Sequence, residues 1–163
     1  MLKLSFKDTP EYPAKVVQRS EEPNIVTTVT LIGTFKFPGV LSTIPQKLQD
    51  WIYHSGNVIN VTPTDELRIL AVGKATKAPE DADDPVLAEK IAEARAKRHL
   101  YKFICRLVSE LLNHNKKLLY GDAQLHLTSS IHTLSDCLLK DKVRYGQLWQ
   151  RECNYLHKLL ADV

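Results

Sequence analysis

Clustered glycines, a dense cysteine framework and long apolar runs are all missing from this chain of 163 residues, and each absence removes a class of function. The six glycines (Gly33, Gly39, Gly56, Gly73, Gly121 and Gly146) stand singly. A phosphate cradle needs several glycines together so that backbone amides can close on the phosphates. Neither Gly-x-x-x-x-Gly-Lys nor Gly-x-Gly-x-x-Gly occurs, and Gly73-Lys74 follows a strand pattern without the upstream glycine. Nucleotide binding of those types is therefore not expected.

Cysteine is scarce and odd in number: Cys105, Cys137 and Cys153, each in apolar, helix-like surroundings. A disulfide scaffold needs even, dense usage, so these read as reduced core thiols in a reducing compartment. No run approaches the roughly 18–20 apolar residues of a membrane span. The opening MLKLSFKDTPEYP lacks the apolar centre of a signal peptide. A cytoplasmic location without membrane contact is the expectation.

Catalytic signatures are also thin. There is no Gly-x-Ser-x-Gly elbow, no Cys-x-x-Cys and no His-Glu-x-x-His. Ser42, Ser55, Ser129, Ser130 and the six histidines supply nucleophile and base types, but no motif assembles them. Cys153 and His157, four apart, share a helix face and offer two metal ligands, which do not make a site. His126 and His132 have no better claim. The run Glu80, Asp81, Asp83, Asp84 lacks the spaced order of a calcium loop and reads as a solvating, helix-capping segment. No metal and no cofactor is expected.

What is present is an ordinary globular composition, 44% hydrophobic and 25% charged. A chain of this size can bury roughly two-thirds of its unfolded surface without staples. Its character changes at Pro79–Asp84. Residues 1–84 are rich in β-branched residues, turns and prolines; residues 85–163 carry helical patterns and one proline, Pro85. These read as a sheet-rich and a helical region of one compact domain, or as two tightly packed subdomains. The net charge of +3 divides the same way, −2 before residue 85 and +5 after it.

Periodicity predicts an α+β fold. Lys15–Arg19 and Ile25–Phe37 read as strands joined by a turn over Ser20–Asn24. In the second, Val29, Leu31, Phe35 and Phe37 share one face, and Thr28, Thr30, Thr34 and Lys36 the other, the mark of an antiparallel sheet with one buried face. Leu2–Phe6 adds an edge strand; Val58–Val61 and Leu67–Gly73 add two more, for about four or five in all. Between them a short helix carries Leu48, Trp51 and Ile52, capped by Ser42 or Thr43, with Pro45 in its first turn and Gly56 past its end. Asp84-Pro85 starts a long helix running to about Asn113, since Asp84 can accept from the orphan amides and Pro85 has none to satisfy. Its apolar girth widens over Leu100–Leu112. The chain from 129 to 161 reads as two helices parted near Leu139–Val143, although the spacing of Leu134, Leu138, Asp141, Tyr145 and Leu148 also allows one. About three C-terminal helices follow from this.

The strongest positive signal lies on the first of them. At about 100° per residue, Arg95, Arg98, His99, Lys102 and Arg106 fall within roughly a third of the helix circumference, beside the apolar face. Such a stripe can neutralise phosphates or acidic side chains. The plainer reading is a solvated face, or partners for the acidic first half.

The segment Gly73–Lys97 resembles a motif of small uncharacterised phage and prophage proteins. In those, a strand leads through a Cys-x-Pro-Glu/Asp-Asp-x-Phe loop into an Ile-Ala-x-Ala-Arg-Ala-Lys helix. Pro79, Glu80, Asp81, Asp84, Ile91, Ala92, Ala94, Arg95, Ala96 and Lys97 match it. Lys77 stands where that motif has Cys, Asp83 where it has Phe, and Ala88 where Gly is common, so the thiol and the aromatic anchor are lost. The resemblance implies a phage or mobile-element setting and no particular activity.

Three kinds of function remain. The first is a non-enzymatic accessory protein that binds a macromolecular partner through the basic helical half, a protein or a second copy ahead of nucleic acid. The second is an enzyme assembled from scattered residues such as Asp50, His54 and Asp65. The third is a homo-oligomer joined through the apolar girth of the helices, with Trp149 and Tyr155.

Overall fold

A computed structural model describes residues 3–36, 45–61, 66–78, 81–120 and 128–161. The order of elements is β1 (Lys3–Ser5), β2 (Lys15–Ser20), β3 (Val26–Lys36), α1 (Gln46–His54), β4 (Val58–Val61), β5 (Glu66–Thr76), α2 (Pro85–Tyr120) and α3 (Thr128–Ala161). The α+β reading holds: five antiparallel strands and one short helix precede two long helices.

β3 and β5 form the spine of the sheet, paired over eleven residues from Val26↔Thr76 to Lys36↔Glu66. β1 and β2 share the far edge of β3. β4 pairs only with the start of β5, from Leu67 to Ile69. The strict alternation of β3 is realised: Thr27, Val29, Leu31, Gly33 and Phe35 are buried, and the residues between are half-buried. On β5, Leu67, Ile69, Ala71, Gly73 and Ala75 form the matching buried face. β5 runs three residues beyond the expected Gly73, because those residues pair with β3 and lie under α2.

Two apolar clusters hold the helices to this face. Around one end, Phe35, Leu67 and Ile69 meet Leu100, Ile104 and Leu107 of α2, with Leu138 and Tyr145 of α3. Around the other, Val29, Leu31 and Ala75 meet Ile91, Ala92 and Ala96, with Leu156. Early α3 thus accompanies late α2 and late α3 accompanies early α2, so the helices run antiparallel. The wide girth of α2 is covered from both sides within the chain, by the sheet and by α3.

Small residues set how closely α2 approaches. A Cβ on Gly73 would sit 2.0 Å from the carbonyl oxygen of Ala92 and 2.5 Å from the amide of Ala96. Glycine on the strand and alanine on the helix let the two backbones touch here. Asp84 caps α2 as expected, its Oδ1 accepting from the Leu87 amide at 2.9 Å, with Pro85 as the first helical residue.

Two helical expectations are corrected. The C-terminal region contains two helices, not three, since residues 128–161 form one helix. No Gly or Pro interrupts Leu139–Val143, and Leu138, Asp141 and Tyr145 are all buried at three-to-four spacing, so one face stays on α2 throughout. α2 likewise continues past Asn113 to Tyr120, because Leu111, Leu112 and Asn115 are still buried. In α1 the cap position is Pro45, held extended at ψ 144° with no side-chain hydrogen bond. Gly56, at φ +70°, follows its end in the left-handed region that favours glycine. Leu2, Phe37, Pro38-Gly39, Ser42, Thr43, Thr62–Asp65, Pro79-Glu80, Gly121 and His126 lie outside the described residues.

Candidate functional site

The basic stripe of α2 lies beside the one long stretch of sheet edge that β4 leaves unpaired. β4 covers β5 only to Ile69, and the turn after α1 closes the next position. There the Leu70 amide donates to the Asn57 carbonyl at 2.6 Å, and Asn57 Nδ2 donates to the Leu70 carbonyl at 3.1 Å. Even-numbered residues of β5 therefore face outward, and odd-numbered ones face β3. Consistent with that, the Lys77 amide donates to the Ile25 carbonyl at 3.0 Å. From Val72 to Thr76 no strand lies beyond β5 among the described residues.

Two members of the stripe reach round to this edge. Arg95 Nη1 donates to the Lys74 carbonyl at 2.5 Å. His99 Nδ1 lies 3.0 Å from the Val72 carbonyl, a contact in which the ring nitrogen is the donor. The register is commensurate: four helical residues rise about 6 Å, and two strand residues advance about 6.7 Å. The step from Arg95 to His99 along α2 therefore matches the step from the Lys74 carbonyl to the Val72 carbonyl along β5.

Farther along, Arg106 stands over the ring of Trp51, 5.6 Å from its centroid. Trp51 in turn stacks on Phe103 at 5.8 Å and 16°. An open groove of about 440 Å³ lies beside them, lined by Asn57, Val72, His99, Lys102, Phe103 and Arg106 among others. Beyond Arg106 a second groove runs past Trp51, His114 and Lys117, where Glu110 interrupts the positive charge.

The stripe is uncompensated. Lys15, Arg19, Lys36, Arg68 and Lys97 all form ion pairs with carboxylates. None of Arg95, Arg98, His99, Lys102 and Arg106 does so among the described residues. The five predicted residues are thus brought onto one surface, but their surroundings differ. Arg95 and His99 cap the strand edge, Arg106 covers Trp51, and Arg98 and Lys102 have no hydrogen-bond or ion-pair partner among the described residues. Asn57 and the outward carbonyls of Val72 and Lys74 escaped the sequence reading, because only the pairing of β4 reveals them.

The shifted carboxylates and lysines lie elsewhere, where β2 and α3 meet α2. Lys15 bonds Glu89 at 2.7 Å and Glu93 at 2.5 Å, and these bonds raise its pKa. Burial alone would raise Glu93, but the bonds from Lys15 and Lys97 outweigh it and hold the carboxyl below its ordinary value. Glu152 of α3 is pushed up, by burial first and then by Glu93, against the pull of Lys97 and Arg151. Arg19 clasps Asp83 through both carboxylate oxygens, at 2.6 and 2.8 Å. The carboxylates of Asp83, Glu89 and Glu93 thus pair with Arg19, Lys15 and Lys97, and with no member of the stripe among the described residues.

Other candidates come apart. His54 Nδ1 contacts the backbone carbonyl of Asp50 at 2.7 Å, while the Asp50 carboxylate accepts from Gln46 at 2.8 Å. That is local helix bonding and not an acid–base pair; Asp65 lies outside the described residues. No group of three or more His, Cys, Asp or Glu placed to hold a metal occurs among the described residues, Cys153 and His157 included. No described helix is long and apolar enough to cross a membrane. Compared with family models, curated proteins and solved structures, the chain matches none.

Proposed function

We propose that this protein is a non-enzymatic accessory protein that holds an acidic protein partner on the basic stripe of α2. The observation that carries the reading is the lack of compensation: five basic side chains share one surface with no ion pair among the described residues, while Lys15, Arg19, Lys36 and Arg68 of the sheet are paired with carboxylates. Leaving charge unpaired costs little at an exposed site but supplies steering and affinity for an oppositely charged partner. A phage or mobile-element setting belongs to the same proposal and rests on the Gly73–Lys97 resemblance; a cytoplasmic one rests on the three free cysteines, Cys105, Cys137 and Cys153.

The test is anisotropy of labelled acidic peptides and of a labelled DNA duplex over a salt series. The chain is compared with an Arg98→Ala/Lys102→Ala/Arg106→Ala variant, which keeps Arg95 and His99 on the strand edge. The expected result is peptide binding that weakens with salt and drops at least tenfold in the variant. Equal binding by the variant, or duplex binding without peptide binding, overturns the reading.

A further inference from the structure

Resting on that reading, we infer how the partner is held: an extended acidic segment adds to the sheet as a strand along the outward edge of β5 from Val72 to Thr76. The edge is built like a vacant strand position. Asn57 already pairs with Leu70 as the last residue in line with β4. One step on, the Val72 and Lys74 carbonyls receive side-chain donors from His99 and Arg95, which stand where the amides of a neighbouring strand would be. The outward amides of the same two residues meet no acceptor among the described residues. A peptide backbone offers both donors and acceptors at this spacing, and strand addition draws its affinity from those main-chain bonds.

The chemistry of the occupant follows from the register. Side chains of an added strand alternate between the two faces of the sheet. One set faces α2, and successive members of that set advance by the same step as Arg95 to His99. Acids at alternate positions therefore meet the Arg95 guanidinium and the His99 ring N–H that the incoming amides displace from the carbonyls, together with Lys102. A second copy of this chain is a poor occupant, since its own β5 edge carries the same Lys74, Arg95 and Lys102 and the two would repel. Nucleic acid lacks the alternating backbone donors and acceptors that the edge presents.

The probe is a capped eight-residue peptide with Glu at alternate positions and Val or Thr between. A scrambled control carries its four glutamates in one block. Amide exchange of the full chain is followed with and without saturating peptide. We expect at least tenfold slower exchange at the Val72 and Lys74 amides, and at least fivefold weaker binding of the scrambled control. Val72→Pro removes an outward amide while leaving the bonds to β3, and is expected to weaken the alternating peptide at least tenfold. Binding without added protection at Val72 and Lys74 overturns strand addition while leaving the acidic-partner reading intact. Concentration-dependent protection without peptide assigns the edge to a second copy and overturns it too. Absence of binding by either peptide overturns both. The exchange measurement on the unaltered chain decides the matter even where Val72→Pro does not fold.

Discussion

Gly73 of β5 lies so close to Ala92 of α2 that a single added carbon would fall 2.0 Å from the helix carbonyl oxygen. The obstacle is backbone on both sides, so nothing can swing away. Gly73→Ala is expected to force α2 off the sheet and to cost about 3 kcal/mol or more, the upper end for overpacking. Gly33 makes the useful contrast, because its added carbon would meet Leu4 Cδ1 at 2.9 Å, the end of a flexible side chain. Gly33→Ala should cost much less. Gly146→Ala, with nothing within 4 Å on a helix surface, should gain about 0.5–1 kcal/mol. Urea midpoints of the three variants check the order; a Gly73→Ala chain as stable as the unaltered one would refute the close crossing.

The cap of α2 can be measured in the same way. Asp84 Oδ1 satisfies the Leu87 amide, and replacement of a capping aspartate by alanine costs typically about 1 kcal/mol. Asp84→Asn should retain most of that. A result in which both variants lose equally would assign the effect to charge and not to the hydrogen bond.

Tyr145 ties α3 to the first strand. Its ring is buried against Phe35, at 6.1 Å edge to face, and its hydroxyl accepts from the Leu4 amide at 3.2 Å. Tyr145→Phe keeps the ring and should cost about 1 kcal/mol, with faster exchange of the Leu4 amide as its local sign. Tyr145→Ala should cost about 3–5 kcal/mol through the cavity. Unchanged exchange at Leu4 in Tyr145→Phe would show that β1 is held by β3 alone.

These sites differ in how far they could be read in advance. The alternation of Val29, Leu31 and Phe35 and the pair Asp84-Pro85 are local signals, and the structure realises both, because burial on one face and a helix start are decided within a few residues. The unity of α3 was open in the sequence: Leu138, Asp141 and Tyr145 permit a continuous face, but a buried aspartate at 1% exposure is hard to accept as core before the packing is seen. The stripe on α2 was legible as a set of charges. That Arg95 and His99 close a strand edge was not, since it depends on where β4 stops and on how near Gly73 lets α2 come.

The contact between β2 and α2 should be pH-dependent with a definite sign. Glu93 is held below its ordinary pKa, so its contribution is complete above about pH 4.3 and is lost as pH falls through the lower folded value. Lys15 is raised, so its contribution is complete below about pH 10.4 and fades only as pH climbs through the higher folded value. Glu93→Gln should therefore be less stable than the unaltered chain at pH 6 and lose less between pH 6 and pH 3. Glu152 is raised and works the opposite way, its ionisation at neutral pH opposing the fold. Glu152→Gln should stabilise at pH 7 and not at pH 3. Urea midpoints across this range test both; parallel curves for all three chains would leave the ion pairs without thermodynamic weight.

An unpaired strand edge is a template for association, and proteins commonly guard it with charge. Here Arg95 and His99 do so by direct hydrogen bonds to the Lys74 and Val72 carbonyls. Removing them together, as Arg95→Ala/His99→Ala, strips donors and charge from the edge at once. The double variant should lose about 1–2 kcal/mol for the two bonds and should associate as concentration rises, seen by light scattering. Arg98→Ala/Lys102→Ala is the decisive comparison, because it lowers the charge of the same helix face without touching a strand carbonyl. If that pair associates as readily as the first, the guarding effect belongs to net charge. If only the Arg95/His99 pair associates, the two side chains hold the edge closed by occupying the positions that a neighbouring strand would fill.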